Sequence, residues 1–315
     1  MSDLSSSILN KLELYQHVAP FVIGSEMARE FAGLQMFCSP FNEQFHILFV
    51  GDPGSVKSTI ADYSIKVWGK EHSAKVTKNT SPGGLTGVDA SGGIRGGVLR
   101  TLDELGEEIS RLVFVDELDK WPQITKKSLL ESMVEKTVTN TKRGRAPQVD
   151  PSIVNIISTC NPKGMRWRGK FDMSKVGIDD DILSRFHIIL PFRDTPASLY
   201  GDIGESFFVR ETPECRQIRL DFTDMVRRGL GLEIKLDKPQ SRKAGDFCGE
   251  LKDRAAGAVF DQITPRLIIG FQSLLVARAK FKSVQEDDRK RGIIDEDFNY
   301  IYMLFRELQN WWLGA

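Results

Sequence analysis

The sequence predicts an α/β fold, with a mostly parallel sheet flanked by helices and followed by a small helical subdomain. Short, nearly continuous apolar runs are separated by longer segments, a pattern typical of strands buried on both faces. Amphipathic helical patterns occur between these runs, and strands that alternate with helices imply a parallel sheet. From about residue 200 the strand pattern fades, and amphipathic helical runs take its place.

Five strands are predicted from apolar, β-rich runs. In chain order these are FHILFVG (45–51), SAKVTKN (73–79), RLVFVDE (111–117), SIVNIISTCN (152–161) and FHIILPF (186–192). One helix is predicted at KSTIADYSIKVWGK, directly after the first strand. A second is predicted at TKKSLLESMVEKTV, where four apolar residues fall on one helical face: Leu129, Leu130, Met133 and Val134.

The helical subdomain is predicted from two long runs near the C-terminus, TPRLIIGFQSLLVARAKF and DEDFNYIYMLFRELQNWWL. Residues 230–247 are predicted to form a loop or a divergent part of this subdomain. We therefore expect residues 1–17 to be a linker, 18–200 the α/β domain and 201–315 the helical subdomain.

Composition indicates an ordinary globular protein of 315 residues, with 41% hydrophobic and 27% charged residues. The 43 basic and 43 acidic side chains balance, which argues against nucleic-acid binding by bulk charge but leaves room for a local basic element. The four cysteines form no C-x-x-C pair, so neither a zinc ribbon nor a disulfide framework is indicated.

No apolar stretch is long enough for a membrane span, and the N-terminus lacks the pattern of a signal peptide. We expect no membrane partner and an intracellular location, cytoplasmic in a prokaryote and nuclear in a eukaryote.

The stretch GDPGSVKST, residues 51–59, is here called the P-loop. It follows a predicted strand and opens a predicted helix, so backbone N–H groups and the helix N-terminus would face a bound anion. Lys57 would reach the phosphates and the Ser58 hydroxyl would hold magnesium. The general motif has glycine before the lysine, whereas this chain has Val56, which needs only an ordinary negative φ. The alternative is a strand-to-helix turn with a surface lysine.

Two carboxylates end another predicted strand, in LVFVDELDK (112–120). Asp116 and Glu117 lie where open parallel sheets bind ligands, so one could organise a magnesium shell while the other polarises a water. The alternative is an acidic strand end that reaches solvent.

Two further residues lie beside predicted strands. Asn161 could orient the attacking water or touch a phosphate, or it could be a turn residue before Pro162. Arg185 is either an ordinary flanking charge or an arginine offered to the nucleotide of a neighbouring subunit.

Five motifs, GDPGSVKS, FVDELDK, STCNP, ILSRF and TPRL, occur in this order, and the set resembles the AAA+ motor core of the minichromosome maintenance (MCM) helicases. The upstream HVAPFVIGSEMAREFAGLQMF also resembles the segment that leads into that ATPase domain. The resemblance covers about residue 12 to the C-terminus. Members of the family often have a residue other than glycine before the lysine, as Val56 is here.

The resemblance implies an AAA+ P-loop NTPase with a helical lid that binds ATP and Mg²⁺. Lys57 and Ser58 match the Walker A lysine and hydroxyl, and Asp116 and Glu117 match the Walker B pair, with Glu117 the catalytic base. Asn161 matches sensor 1. Ser58 and Asp116 would bind Mg²⁺, and the expected nucleotide-binding residues are Gly51, Asp52, Pro53, Gly54, Ser55, Val56, Lys57, Ser58, Thr59, Asp116 and Arg266.

Two arginines complete the expected site. Arg185 matches the arginine finger and Arg266 the sensor 2 arginine. In this family both would act across a subunit interface, so the resemblance implies a homo-oligomeric ring, typically a hexamer, and poor hydrolysis by a monomer.

The resemblance also places DNA contacts. EKTVTNTKRG (135–144) resembles the hairpin before sensor 1, with Lys142 at the pore lysine and Arg143 beside it; an exposed basic turn is the alternative. Residues 83–99 resemble the helix-2 insertion. A further basic segment around Trp167 could stack on nucleic acid or be a solvated loop.

The leading hypothesis is an ATP-hydrolysing, DNA-translocating motor. A protein-remodelling ATPase of the magnesium-chelatase or MoxR-like kind is the second, and a nucleotide-binding assembly module without turnover is the third. Relatives usually have an N-terminal oligonucleotide-binding barrel, for which residues 1–17 are too short, so an excised motor domain and a minimal family member both stay open.

Overall fold

A five-stranded parallel sheet forms the centre of the fold. In the computed structural model its strands are β1 (His46–Gly51), β2 (Ser73–Val76), β5 (Arg111–Val115), β8 (Val154–Cys160) and β9 (Ile188–Phe192). They lie in the order β2-β5-β8-β1-β9, and every neighbouring pair is parallel. Each strand falls within a run predicted from the sequence, which confirms the predicted α/β class.

The structure describes residues 6–90, 93–95, 97–100, 111–140, 148–164, 166–167, 172–193, 198, 200–209, 212–254 and 264–313. Within these ranges, every helix is too short or too polar to span a lipid bilayer.

Burial explains why the central strands read as continuous apolar runs. Every residue of β1, β8 and β9 is buried, whereas the edge strand β2 is only partly covered. Parallel strands covered by helices on both faces have no solvent side on which polar residues would alternate.

The sheet is flanked by helices that come mainly from the connections between its strands. Their bounds are α1 (Ser6–Leu9), α2 (Glu26–Phe37), α3 (Lys57–Trp68), α4 (Pro82–Thr86), α5 (Gln123–Glu135) and α6 (Asp180–Leu183). In α5, Leu129 and Met133 are buried, but Val134 is 41% exposed. The prediction that Val134 shares the buried face is therefore wrong, because each residue turns the helix by about 100° and Val134 lies past the edge of that face.

Two antiparallel hairpins project from the sheet connections. One pairs β3 (Val88–Ala90) with β4 (Gly93–Arg95), inside the segment compared with a helix-2 insertion. The other pairs β6 (Thr137–Asn140) with β7 (Gln148–Pro151), where a hairpin was predicted. The residues between β6 and β7, including Lys142 and Arg143, lie outside the described part of the chain. Arg100, just after the first hairpin, forms an ion pair with Asp150 of β7 at 3.1 Å.

In the part of the chain after β9 that the structure describes, there are five helices. They are α7 (Tyr200–Val209), α8 (Pro213–Leu230), α9 (Lys238–Arg254), α10 (Thr264–Gln285) and α11 (Asp295–Leu313). In the segment predicted as a loop or divergent part, Leu230 ends α8, residues 231–237 have no helix or strand, and residues 238–247 belong to α9.

The late helices pack on the sheet as well as on one another. In α11, Trp312 donates its indole N–H to the carbonyl of Ile189 in β9 at 2.9 Å. The Lys280 ammonium of α10 lies 2.9 Å from the Glu43 carboxylate, and both side chains are buried. Apolar side chains of both parts join one buried cluster, so the helices add to the core of the sheet.

A buried carboxylate ties the N-terminal segment to two helices. Glu30 of α2 accepts hydrogen bonds from the backbone N–H groups of Leu14 at 2.8 Å and Tyr15 at 2.9 Å. The Tyr300 hydroxyl of α11 donates to its other oxygen. Burial raises the pKa of Glu30 to about 7, although these hydrogen bonds oppose the shift. Glu30 therefore exchanges a proton near neutral pH.

We expect Glu30→Gln to flatten the pH dependence of stability between about pH 4.5 and 7. The pKa of Glu30 is higher in the folded than in the unfolded chain, so the folded chain binds more protons in this window. The free energy of unfolding of the wild type therefore falls by up to about 3 kcal/mol as pH rises through it. Urea unfolding at several pH values measures this slope.

Glu71→Gln is the matched control, because Glu71 is exposed. Its profile should follow the wild type. A Glu30→Gln profile as steep as the wild type would show that other groups cause the pH dependence.

Candidate active site

The P-loop joins β1 to α3 and depends on two glycines. A Cβ at Gly51 would lie 2.2 Å from the carbonyl oxygen of Phe192, so only glycine allows β9 to pass this closely. Gly54 has φ +82°, in the left-handed region that favours glycine. Val56 has φ −71°, the ordinary value that its β-branched side chain requires. The substitution before Lys57 thus leaves the loop unstrained at that position.

The Lys57 ammonium lies inside the P-loop. Its Nζ donates to the carbonyl oxygens of Gly51 at 2.8 Å and Asp52 at 2.7 Å. A third hydrogen bond, at 2.9 Å, goes to Oγ of Ser55. Burial lowers the pKa of Lys57 to about 8, although nearby acidic side chains oppose the shift. The loop itself satisfies all three donors, so an anion bound there would replace some of these neutral acceptors.

The first carboxylate after β5, Asp116, lies beside the start of α3. One of its oxygens accepts from Oγ of Ser58 at 3.2 Å and from Oγ1 of Thr159 at 2.7 Å. Its other oxygen lies 3.5 Å from Nζ of Lys75 in β2. A hydroxyl and a carboxylate side by side are oxygen ligands that suit Mg²⁺, so Ser58 and Asp116 fit the expected metal site.

The second carboxylate, Glu117, has an unusual backbone. Its φ of 52° is in the left-handed region, which non-glycine residues seldom occupy. Its backbone N–H donates to Oγ1 of Thr159 at 3.0 Å. The side chain is partly exposed and contacts the ammonium of Lys120, with that of Lys78 at 3.8 Å. The two lysines neutralise the carboxylate at the mouth of the site.

Asn161 follows the last residue of β8, at the same edge of the sheet. Its backbone N–H donates to Oδ1 of Asp119 at 3.1 Å. Burial raises the pKa of Asp119, while this hydrogen bond opposes the shift. The carboxyl ends of β1, β5 and β8 thus bring the P-loop, the two carboxylates and Asn161 together.

Sequence reasoning missed Thr159, whose hydroxyl donates to the Asp116 carboxylate and accepts from the backbone N–H of Glu117. A signal was present, because side chains alternate along a strand and Thr159 lies on the same face of β8 as Asn161. Lys75 was missed as well, because it reaches Asp116 only through the parallel pairing of β2 with β5, which the sequence does not reveal.

Arg185 and Arg266 lie at the opposite edge of the sheet, where β1 and β9 have their amino ends. Nη1 of Arg266 donates to the carbonyls of Arg185 at 3.3 Å and Met133 at 3.5 Å. Both arginines line a pocket of 550 Å³ together with His187 and Lys136, here called the cation pocket. The six residues of β1 separate this pocket from the P-loop, about 17 Å along the strand. The structure therefore does not bring these arginines to the P-loop of their own chain.

The residues singled out for DNA binding divide into two groups. Lys142 and Arg143 lie outside the described residues. Trp167 is described and buried, and its backbone N–H donates to Oδ1 of Asp52 at 2.7 Å. Trp167 is thus placed against the P-loop, which corrects the interpretation that its ring stacks on nucleic acid.

This chain is similar to proteins of one family. A model described as the MCM P-loop domain matches residues 2–201. An uncharacterized MCM-type protein of Methanocaldococcus jannaschii is 28% identical over 209 residues, which cover 61% of this chain and 25% of that protein. The minichromosome maintenance protein MCM of Saccharolobus solfataricus is 23% identical over 313 residues, with 93% and 45% covered. The DNA helicase MCM8 of Xenopus laevis is 25% identical over 275 residues, with 81% and 31% covered. The chain spans less than half the length of each relative.

We expect Thr159→Val to lower the affinity of the site for Mg²⁺. The substitution keeps the volume but removes the hydroxyl that donates to Asp116 and accepts from the N–H of Glu117. Loss of a group that orients a metal ligand typically costs 10–100-fold in metal affinity or activity. The Mg²⁺ concentration that half-saturates the chain, measured by isothermal titration calorimetry, should rise by about tenfold or more.

Thr159→Ser keeps the hydroxyl and should behave like the wild type in the same titration. An unchanged Mg²⁺ requirement in Thr159→Val would mean that Asp116 is positioned without Thr159.

Proposed function

The chain belongs to the MCM family, and we propose that it is the ATP-hydrolysing, DNA-translocating motor core of an MCM-type helicase, acting as a ring with ATP sites at subunit interfaces. One observation carries the proposal: the P-loop and carboxylates lie at one edge of the sheet, and the arginines Arg185 and Arg266 lie at the other. Neighbouring copies in a ring would bring these two edges together.

The P-loop edge supplies the nucleotide-binding half of the site. In this proposal Lys57 leaves its loop carbonyls and donates to the β and γ phosphates, while backbone N–H groups of the loop face the same anion. Ser58 and Asp116 would hold Mg²⁺, which would neutralise charge on the phosphate oxygens. The hydrogen bond of the Ser58 hydroxyl to Asp116 supports this assignment, because it places both oxygen ligands side by side.

The catalytic groups of the same edge act on water. Glu117 accepts a proton from the attacking water, and Asn161 orients that water. Glu117 must first release Lys120 and Lys78, because a carboxylate held by two ammonium groups is a poor base. The left-handed backbone of Glu117 limits the directions in which its side chain can project.

The opposite edge supplies Arg185 and Arg266 to the nucleotide of the next copy. An arginine finger stabilises negative charge on the transferred phosphoryl group and is worth on the order of 10³ to 10⁵ in rate. The separation along β1 supports action between copies, since the chain cannot fold its own arginines onto its own P-loop without breaking the sheet.

DNA contacts are proposed for Lys142 and Arg143, which lie in the sequence between β6 and β7. A ring would place one such lysine per subunit on the phosphate backbone, which lets a protein without net charge bind DNA. The relative from Xenopus laevis is named a DNA helicase, and that name supports DNA as the partner.

We expect Lys57→Ala and Arg185→Ala chains to be nearly inactive alone and to restore each other when mixed. In a 1:1 mixture, about a quarter of the interfaces join an intact P-loop to an intact Arg185, so about a quarter of the wild-type ATPase rate should return. The rate is measured across protein concentrations, with and without single-stranded DNA.

In the control mixture, the double variant Lys57→Ala/Arg185→Ala takes the place of the Lys57→Ala chain beside Arg185→Ala. This mixture has no intact Arg185 and should recover no ATPase activity. Failure of the single variants to complement, with an active wild type, would contradict sites at interfaces. Activity indifferent to DNA would favour a protein-remodelling ATPase, and an inactive wild type would favour an assembly module.

We expect Lys142→Ala to lose the stimulation by DNA and to keep its ATPase rate without DNA. Removing one phosphate contact should also reduce the salt slope of DNA binding by about 1. Lys252→Ala, at an exposed lysine of α9, is the control and should keep both. An unchanged DNA response in Lys142→Ala would show that Lys142 does not contact DNA.

A further inference from the structure

A lysine lies beside the carboxylate expected to bind metal, and neither the motifs nor the family resemblance singled it out. Lys75 is in the edge strand β2, and its Nζ lies 3.5 Å from Oδ2 of Asp116. The other carboxylate oxygen, Oδ1, accepts from the hydroxyls of Ser58 and Thr159. The ammonium therefore pairs with the oxygen that the two hydroxyls do not use.

The pairing of β2 with β5 holds Lys75 in this place. In the parallel register Lys75 is the partner of Phe114, and its ammonium lies over the Phe114 ring, 4.6 Å from the ring centre. The ladder continues past β5, because the backbone N–H of Asp116 donates to the carbonyl of Val76 at 2.9 Å. Phe114 and Asp116 are two positions apart, so Lys75 and Asp116 lie on the same face of the sheet.

A second carboxylate holds the same ammonium. Nζ of Lys75 donates to both oxygens of Asp62 in α3, at 3.0 and 3.3 Å. Asp62 lies four residues after Ser58, so the two side chains are neighbours on one face of the helix. Lys75 is thus shared between Asp62 and Asp116, and its contacts with Asp62 are the shorter ones.

The shared ammonium affects how tightly Asp116 can bind a further cation. Mg²⁺ at Asp116 would be repelled by the charge of Lys75, and it would have to displace the ammonium from the carboxylate or share the carboxylate with it. Asp62 offsets part of this repulsion, because it neutralises Lys75 and holds it on the α3 side. All three side chains are partly exposed, so water and salt limit the effect to the size of a surface ion pair.

We infer that Lys75 lowers the affinity of the site for Mg²⁺ by competing for Asp116, and that Asp62 limits this competition by holding the ammonium. This rests on the proposed function, which takes Asp116 as a ligand of Mg²⁺. Lys75 is then a positioning residue that acts through Asp116 and not on the nucleotide. Weaker metal binding shortens the residence time of Mg²⁺ with the product ADP, and product release limits the rate of many enzymes.

The test is the affinity of the full chain for the fluorescent analogue mant-ADP, measured once with Mg²⁺ and once with EDTA. The dissociation constant in EDTA divided by that in Mg²⁺, here called the metal ratio, reports how much Mg²⁺ tightens binding. Binding of Mg²⁺ to free mant-ADP is the same for every variant, so it cancels when variants are compared.

Lys75→Met keeps an unbranched side chain without the charge, and it should raise the metal ratio about fivefold, the size of a strong exposed ion pair. Asp62→Asn leaves Lys75 to Asp116 alone and should lower the ratio by about twofold to threefold. In the Lys75→Met background, Asp62→Asn should have no further effect. Lys66→Met, at an exposed lysine of the same helix α3, is the matched control and should keep the wild-type ratio.

The direction of the change decides the inference. A lower metal ratio in Lys75→Met would overturn it, because Lys75 would then orient Asp116 for Mg²⁺ instead of competing with it. An unchanged ratio would also overturn it and leave the proposed nucleotide site standing. An equal effect of Asp62→Asn with and without Lys75 would contradict the role given to Asp62. A wild type whose affinity for mant-ADP does not respond to Mg²⁺ would refute the proposed metal site, and the inference would fall with it.

Discussion

The hydrogen bonding of β1 to β8 on one side and β9 on the other determines where every other functional group lies. Parallel pairing sends the carboxyl ends of these strands to one edge, with the P-loop, and their amino ends to the other, with the cation pocket. The buried strands therefore separate the side chains at one edge from those at the other. Acidic and basic side chains form ion pairs beside the P-loop, whereas the described residues that line the cation pocket carry positive charge alone.

The sequence was sufficient to predict the strands of the sheet and the functional residues at their carboxyl ends. Buried parallel strands appear as apolar runs, so all five strands were predicted and their carboxyl ends located Asp116, Glu117 and Asn161. The close approach of β9 explains why Gly51 is a glycine, and the negative φ of Val56 explains why the departure from the general motif costs nothing.

What could not be predicted depends on contacts between distant parts of the chain. Lys75 meets Asp116 only through the pairing of β2 with β5, and Trp167 is buried because its segment returns to Asp52. The α5 pattern predicted Val134 on the buried face, but Val134 lies past the edge of that face and lines the cation pocket.

Helix α5 connects the edge of the sheet with the P-loop to the edge with the cation pocket. Just before it begins, the indole N–H of Trp121 donates to the carbonyl of Asp116 at 2.9 Å, and in its last turn the carbonyl of Met133 accepts from Arg266. Its 13 residues span about 20 Å of continuously hydrogen-bonded backbone, which resists compression. Helix α5 is therefore a continuous connection between the backbone of Asp116 and the carbonyl that Arg266 contacts.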